Sequence, residues 1–187
     1  MHIGFGLTGS FCTLAAALDT MRRLTARGHT LQPVASYHVD QLDTRFFARD
    51  ELYARIAGIT PLPVWNTIPQ AETAGPADCF DAMIIAPCTG NTLAKLVRGI
   101  TDTPTLMAAK ATLRNGKPLV LAVCTNDGLA INAQNIGRAC ALRNVYLVPM
   151  RQDDAAKKPT SLVADMGQVV AALDVAMAGL QLQPILV

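Results

Sequence analysis

Ala82-Met83-Ile84-Ile85-Ala86-Pro87-Cys88-Thr89-Gly90-Asn91-Thr92 decides how this chain folds. Ala82–Ala86 is a continuous apolar run between Asp81 and Pro87, the pattern of a strand buried on both faces. Pro87 ends the run, Gly90 admits a turn, and Asn91 and Thr92 suit the start of a helix spanning 91–98. A buried strand that passes through a polar turn into a helix is the repeating unit of a parallel sheet.

The same alternation extends outward on both sides. Upstream, the spacing predicts strands at 2–7 and 31–36, and helices at 10–27 and 44–57, with Gly28 and Gly58 as stops. Four prolines make 60–78 mostly loop. Downstream, Asp102-Thr103-Pro104 opens a helix that Asn115-Gly116 closes. Strands follow at 118–123 and 145–148, with a helix at 131–142 between them. Residues 152–160 read as polar loop, and 161–180 as a closing amphipathic helix. The expected fold is one doubly wound α/β domain over 1–187, with a largely parallel sheet and helices on both faces.

Composition narrows the function. Hydrophobic residues make up 51% of the 187 positions and charged residues 16%. Mean hydropathy is +0.28. These values exclude disorder and fit a doubly covered sheet or a large oligomer interface. Sixteen basic and 14 acidic residues give a net charge of +2, and Lys157-Lys158 is the only adjacent lysine pair. Neither a nucleic-acid footprint nor a membrane-spanning segment is expected. The five cysteines form no CxxC, so they read as reduced thiols of a cytoplasmic protein rather than metal ligands. The first strand is expected almost at Met1, so no signal peptide is expected.

In such sheets ligands bind beyond the carboxyl ends of the strands. Four segments then matter: 7–10, 36–40, 86–92 and 123–128. Gly4-Phe5-Gly6-Leu7-Thr8-Gly9 is literally GxGxxG, but Gly4 and Gly6 fall too early to form the turn. Ser36 stands where a dinucleotide site wants an acid. The first loop therefore suits one phosphate, with Gly9 for close approach and Ser10 as hydroxyl donor, although taken alone it fits a plain strand–helix turn with Ser10 as cap slightly better. Asn126, in Thr125-Asn126-Asp127-Gly128, faces a ligand if that turn borders the site; turn chemistry alone also explains it. Cys88 and Cys124 read as small apolar fillers. His38 reads as an ordinary surface histidine, with catalysis the less favoured alternative. Lys110 and Arg114, one turn apart on a helix, are the nearest cations for an acidic substrate.

These residues, in this order, resemble the FMN-binding flavoprotein family that includes phosphopantothenoylcysteine decarboxylase, peptidyl-cysteine decarboxylases and prenyl-FMN synthases. The family's Pro-Ala-Ser-Ala-Asn-Thr segment matches Pro87-Cys88-Thr89-Gly90-Asn91-Thr92. Its Lys-x-x-x-Gly-x-x-Asp matches Lys95, Gly99 and Asp102, and the asparagine of its second motif falls on Asn126. The resemblance implies a Rossmann-like flavoprotein fold, trimer-based oligomers and bound FMN. It assigns the phosphate to Gly9, Ser10, Ser36, Asn91 and Thr92, and the ring or ribityl chain to Pro87, Thr89 and Asn126.

A narrower similarity covers nearly the whole chain, through Ile3–Ser10, Ala86–Thr92, Leu106–Asn115, Thr125–Asp127, Val148–Asp153 and Gln181–Pro184. It is to a branch whose members are the B subunits of two-chain oxidoreductases. This similarity implies a partner, the A subunit, that uses NADP, and a small dicarboxylate substrate. The implied reaction oxidises a dihydrodipicolinate-type precursor to pyridine-2,6-dicarboxylate in the mother cell of a spore-forming bacterium. Two alternatives are an FMN-dependent decarboxylase of cysteine derivatives and a non-catalytic scaffold for the partner chain. The decarboxylases carry a histidine before the third strand, where Glu72–Pro76 here has none. Cys124 and Thr125 replace the Pro and Met of their second motif, and Ala156–Pro159 replaces their substrate clamp.

Overall fold

Three strands pair in parallel at the centre of the computed structural model, which describes residues 1–187. Strand β1 (His2–Leu7) lies between β2 (Thr30–Ala35) and β3 (Ala82–Cys88). Strand β4 (Leu119–Thr125) adds to β3, and β5 (Val145–Leu147) adds to the first half of β4, both parallel. The parallel order is therefore 2-1-3-4-5. The chain leaves β1 toward β2, then returns past β1 to β3, so the winding reverses between β1 and β3. That reversal opens a crevice at the carboxyl edge.

The helices cover both faces, as the apolar runs require. Ile84 and Val120 point to one core with Phe5, beneath helices α1 (Leu14–Ala26) and α8 (Val169–Met177). Met83, Ile85 and Leu121 point to the other, beneath α5 (Gly90–Leu96) and α6 (Pro104–Arg114). Phe5 is fully buried, and burial of such a side chain stabilises by about 1.5–3 kcal/mol. Gly4 and Gly6 lie inside β1. A Cβ would meet the Phe80 ring at 2.8 Å at Gly4, and Thr105 Cγ2 at 2.8 Å at Gly6. These two glycines admit side chains that pack on the sheet and take no part in a phosphate turn.

Three segments depart from the sequence expectation. Residues 152–160, expected as loop, and the start of the expected helix at 161 form an antiparallel hairpin instead, β6 (Met150–Asp154) and β7 (Lys158–Ala164). Asp154 Oδ1 accepts the amides of Ala156 and Lys157 at 3.1 and 3.0 Å and closes the turn. Strand β7 also pairs with Cys124 and Thr125 of β4, so the hairpin extends the sheet beside the crevice. The closing helix starts only at Val169, because the Asp165 carboxylate caps a 3-10 turn at Met166–Gln168.

The helix expected over 44–57 starts only at α3 (Arg49–Ala57), since Thr44 folds back on Phe47, and a short unexpected helix α2 (Tyr37–Gln41) precedes it. Inside the proline-rich stretch, Thr67 and Gln70 form a reciprocal capping box that starts α4 (Ile68–Glu72). Thr67→Ala should lower stability by about 1 kcal/mol in denaturant titration. An unchanged midpoint would show that the cap carries no weight. The helix expected at 131–142 is α7 (Ala133–Cys140).

Candidate functional site

A groove runs along the carboxyl edge, built by the segments that follow β1, β2, β3 and β4. It has two adjoining chambers of about 650 and 410 Å³, and both are walled by Gly9, Phe11, Thr89 and Asn91. Such volumes suit a cofactor-sized molecule.

The central wall is pinned by Thr8, which the sequence reading missed. Its buried hydroxyl donates to the Pro87 carbonyl at 2.8 Å and accepts the Thr89 amide at 3.0 Å. The first and third loops are thereby locked together. The Thr89 hydroxyl caps α5 by accepting the Thr92 amide at 3.2 Å, and pairs with the Thr92 hydroxyl at 2.9 Å. Both side chains still wall the groove.

The smaller chamber holds Ser36, Thr92 and His38, with Lys95 paired to Asp102 at 2.7 Å. Ser36 is 5% exposed, and its Oγ is buried with no hydrogen-bond partner. Buried hydroxyls are normally bonded, and leaving one unmade costs about 1–3 kcal/mol. An orphan of this kind at a groove wall suits a polar ligand atom. Charge there is already neutralised by the lysine–aspartate pair, so hydroxyls and backbone amides are the free donors.

The larger chamber holds Ser10, Cys12, Asn126 and the hairpin residues Ser161–Val163. Its floor is a polar chain. Asp127 accepts the Thr125 hydroxyl, and through both carboxylate oxygens it accepts Asn132 Nδ2 at 2.8 and 2.9 Å. Asn132 Oδ1 in turn accepts Asn135 Nδ2 at 2.7 Å, and Asn135 Oδ1 accepts Arg98 at 3.0 Å. Gly90 lies against this chain: a Cβ there would stand 2.4 Å from both Asn132 Nδ2 and Thr125 Oγ1.

Burial raises the Asp127 pKa, but the bonds from Thr125 and Asn132 outweigh it and hold the carboxyl below its usual range. A group depressed on folding stabilises above its unfolded value, near 3.9 for aspartate. That contribution disappears as pH falls through the lowered folded value. Acid titration should therefore cost the wild type more stability below about pH 4 than Asp127→Asn. Parallel acid curves for the two proteins would refute the coupling.

Most of the expected site residues line the groove. Gly9, Ser10, Thr89, Asn91 and Asn126 line the larger chamber; Gly9, Ser36, Thr89, Asn91 and Thr92 line the smaller. Pro87 does not line it, and acts through its carbonyl on Thr8. Ser10 caps nothing with its side chain. Lys110 and Arg114 are exposed and line neither chamber. Helix α6 leaves the groove at Pro104, which carries them roughly 9 and 15 Å along its axis toward the opposite edge. Arg114 ends beside Gly75.

Burial pushes the Cys88 thiol up, and the Cys124 thiol to about 11, so both stay neutral and serve as packing groups. Sequence reasoning missed Phe11, Arg45, Phe46 and Lys158. Three of these lie in segments it read as helix, and Lys158 in one it read as loop.

The flavoprotein family model matches residues 1–175. The B subunit of dipicolinate synthase from Bacillus subtilis (strain 168) is 43% identical over 186 residues, covering 100% of this chain and 93% of that one. The crystal structure of the B subunit of dipicolinate synthase from Bacillus halodurans superimposes with a TM-score of 0.92 at 44% identity, covering 100% of this chain and 95% of its own. The FMN-dependent cysteine decarboxylase SpaF, at 18% identity and a TM-score of 0.71 over 95% of this chain and 97% of its own, shares the fold.

Proposed function

The chain belongs to the flavoprotein family, and from that membership we propose that it is the flavin-binding B subunit of a dipicolinate-forming oxidoreductase. The observation that carries the reading is the likeness, along the full chain, to the B subunit of dipicolinate synthase. The reaction oxidises a dihydrodipicolinate-type precursor to pyridine-2,6-dicarboxylate. A partner chain, the A subunit, supplies an NADP-binding domain. The protomers assemble on a trimer and work in the cytoplasm of a sporulating mother cell.

The groove's residues fit FMN. Ser36 offers a buried hydroxyl that lacks any partner in the chain itself. Ser36, Thr92, Asn91 and the Gly9–Ser10 backbone hold the phosphate. Thr89 and Asn126 border the ring and ribityl chain, and Pro87 shapes the loop through Thr8. Bound FMN supplies reversible uptake of a hydride. The protein's part would be to hold the flavin in the larger chamber, which Thr89, Asn126 and the hairpin residues Ser161–Val163 line.

Decarboxylase chemistry has less support. His38 is the one histidine lining the groove, and it lies in the chamber of Ser36 rather than that of Asn126. A proton-transfer group must reach the reacting atom directly or through one water. No carbon dioxide release is expected from cysteine-derived carboxylates.

Calorimetric titration should show FMN binding at micromolar concentration, with NAD and NADP binding far weaker. Mixing with the A subunit should then give dipicolinate faster with FMN present. A colourless chain that takes up no FMN yet still accelerates the reaction would overturn the flavin assignment in favour of a scaffold.

A further inference from the structure

We propose that Arg45 and Phe46 form a carboxylate-binding lip at the mouth of the larger chamber, which holds the planar dicarboxylate. This rests on the oxidoreductase reading above and names the residues through which that substrate is recognised.

Three Lys or Arg side chains line the groove. Two are already neutralised on the protein: Lys95 by Asp102 at 2.7 Å, and Lys158 by Asp153. Arg45 has no carboxylate partner. Its guanidinium carbon lies 4.8 Å from the centre of the Phe46 ring, and Phe46 is 43% exposed although it is a large apolar side chain. A fork of donors with no carboxylate partner therefore stands over a half-exposed aromatic ring. A guanidinium binds carboxylate through two parallel hydrogen bonds, and an aromatic face takes a flat ring by stacking.

The two residues are presented by a built turn. The Thr44 amide donates to the Phe47 carbonyl at 2.9 Å, and the Thr44 hydroxyl accepts the amides of Phe46 and Phe47, each at 3.2 Å. Asp43 accepts the Arg49 amide at 2.7 Å, which ties the turn to the start of α3. Phe47 is buried in the main core. Arg45 and Phe46 thus project between two anchors, with Phe11 lining the same chamber. A flat aromatic acid seated in this chamber would place its carboxylate on Arg45.

The test titrates the full-length chain with pyridine-2,6-dicarboxylate by calorimetry, in chelated buffer, with and without saturating FMN. Arg45→Ala should weaken binding at least about tenfold, the loss expected for a charge-assisted pair. Arg45→Lys should recover part of it. Phe46→Ala should erase the preference for the planar acid over piperidine-2,6-dicarboxylate. Arg22→Ala, on the exposed face of α1, should bind as wild type, and FMN affinity should be the same in all four variants. The lip is overturned if the wild type binds no dicarboxylate, or if Arg45→Ala binds it normally. It is also overturned if Arg45→Ala loses FMN and dicarboxylate together. A chain that rejects FMN but binds the acid through Arg45 supports the lip and removes the flavin reading.

Discussion

Gly90→Val will lower the melting temperature by roughly 10 °C and abolish measurable FMN binding. A Cβ at position 90 would sit 2.4 Å from Asn132 Nδ2 and from Thr125 Oγ1, closer than any real contact. Neither neighbour is free to give way, because both are hydrogen-bonded to Asp127. Relief of the clash must either break these bonds or move the start of α5. Overpacking costs about 1–3 kcal/mol, and each buried polar group left unpaired adds about 1–3 more. At this chain length each kcal/mol lowers the midpoint by about 2–4 °C. The same displacement shifts Thr89 and Asn91, the two residues shared by both chambers besides Gly9 and Phe11. Differential scanning calorimetry and FMN titration measure the two effects. A variant that melts and binds like the wild type would show that the floor is not rigid.

The sequence made the sheet legible because its strands are buried on both faces. Continuous apolar runs such as Ala82–Ala86 have no other stable place in a chain with few charges. The edge loops were legible for the same reason: once the strands are placed, their carboxyl ends follow, and Ser36, Thr89, Asn91 and Asn126 fall on them. What periodicity does not report is where a side chain ends up after a chain reversal. Ser161–Ala164 has the composition of a helix start, but pairing with Cys124 and Thr125 made it a strand. Arg45 lay in a pattern that reads as helical until Thr44 closes its own local turn. Both errors had one consequence: the groove's outer wall, and the cations it carries, were invisible. Lys110 and Arg114 drew notice by their helical spacing, although their place just before Asn115-Gly116 already put them toward the end of α6 that lies away from the carboxyl edge.

Ser36→Ala separates function from stability most directly. The Ser36 hydroxyl is covered, and no other group of the chain bonds to it. Removing an unsatisfied buried polar group returns its desolvation cost, about 1–3 kcal/mol. The alanine variant without ligand should therefore melt several degrees above the wild type. In the FMN complex the order reverses. A hydroxyl donated to a phosphate is a charge-assisted bond worth about 1.5–3 kcal/mol, so the variant should bind FMN about ten to a hundred times more weakly. A residue retained for packing alone would move both quantities in one direction. Opposed shifts are the mark of a group kept unsatisfied until its ligand arrives, since binding to the native state stabilises it by mass action. The comparison needs thermal melts with and without FMN and one affinity measurement on each protein. If Ser36→Ala lowers the melting temperature of the free chain while FMN affinity stays constant, the hydroxyl serves the fold, and the phosphate must be held elsewhere in the groove.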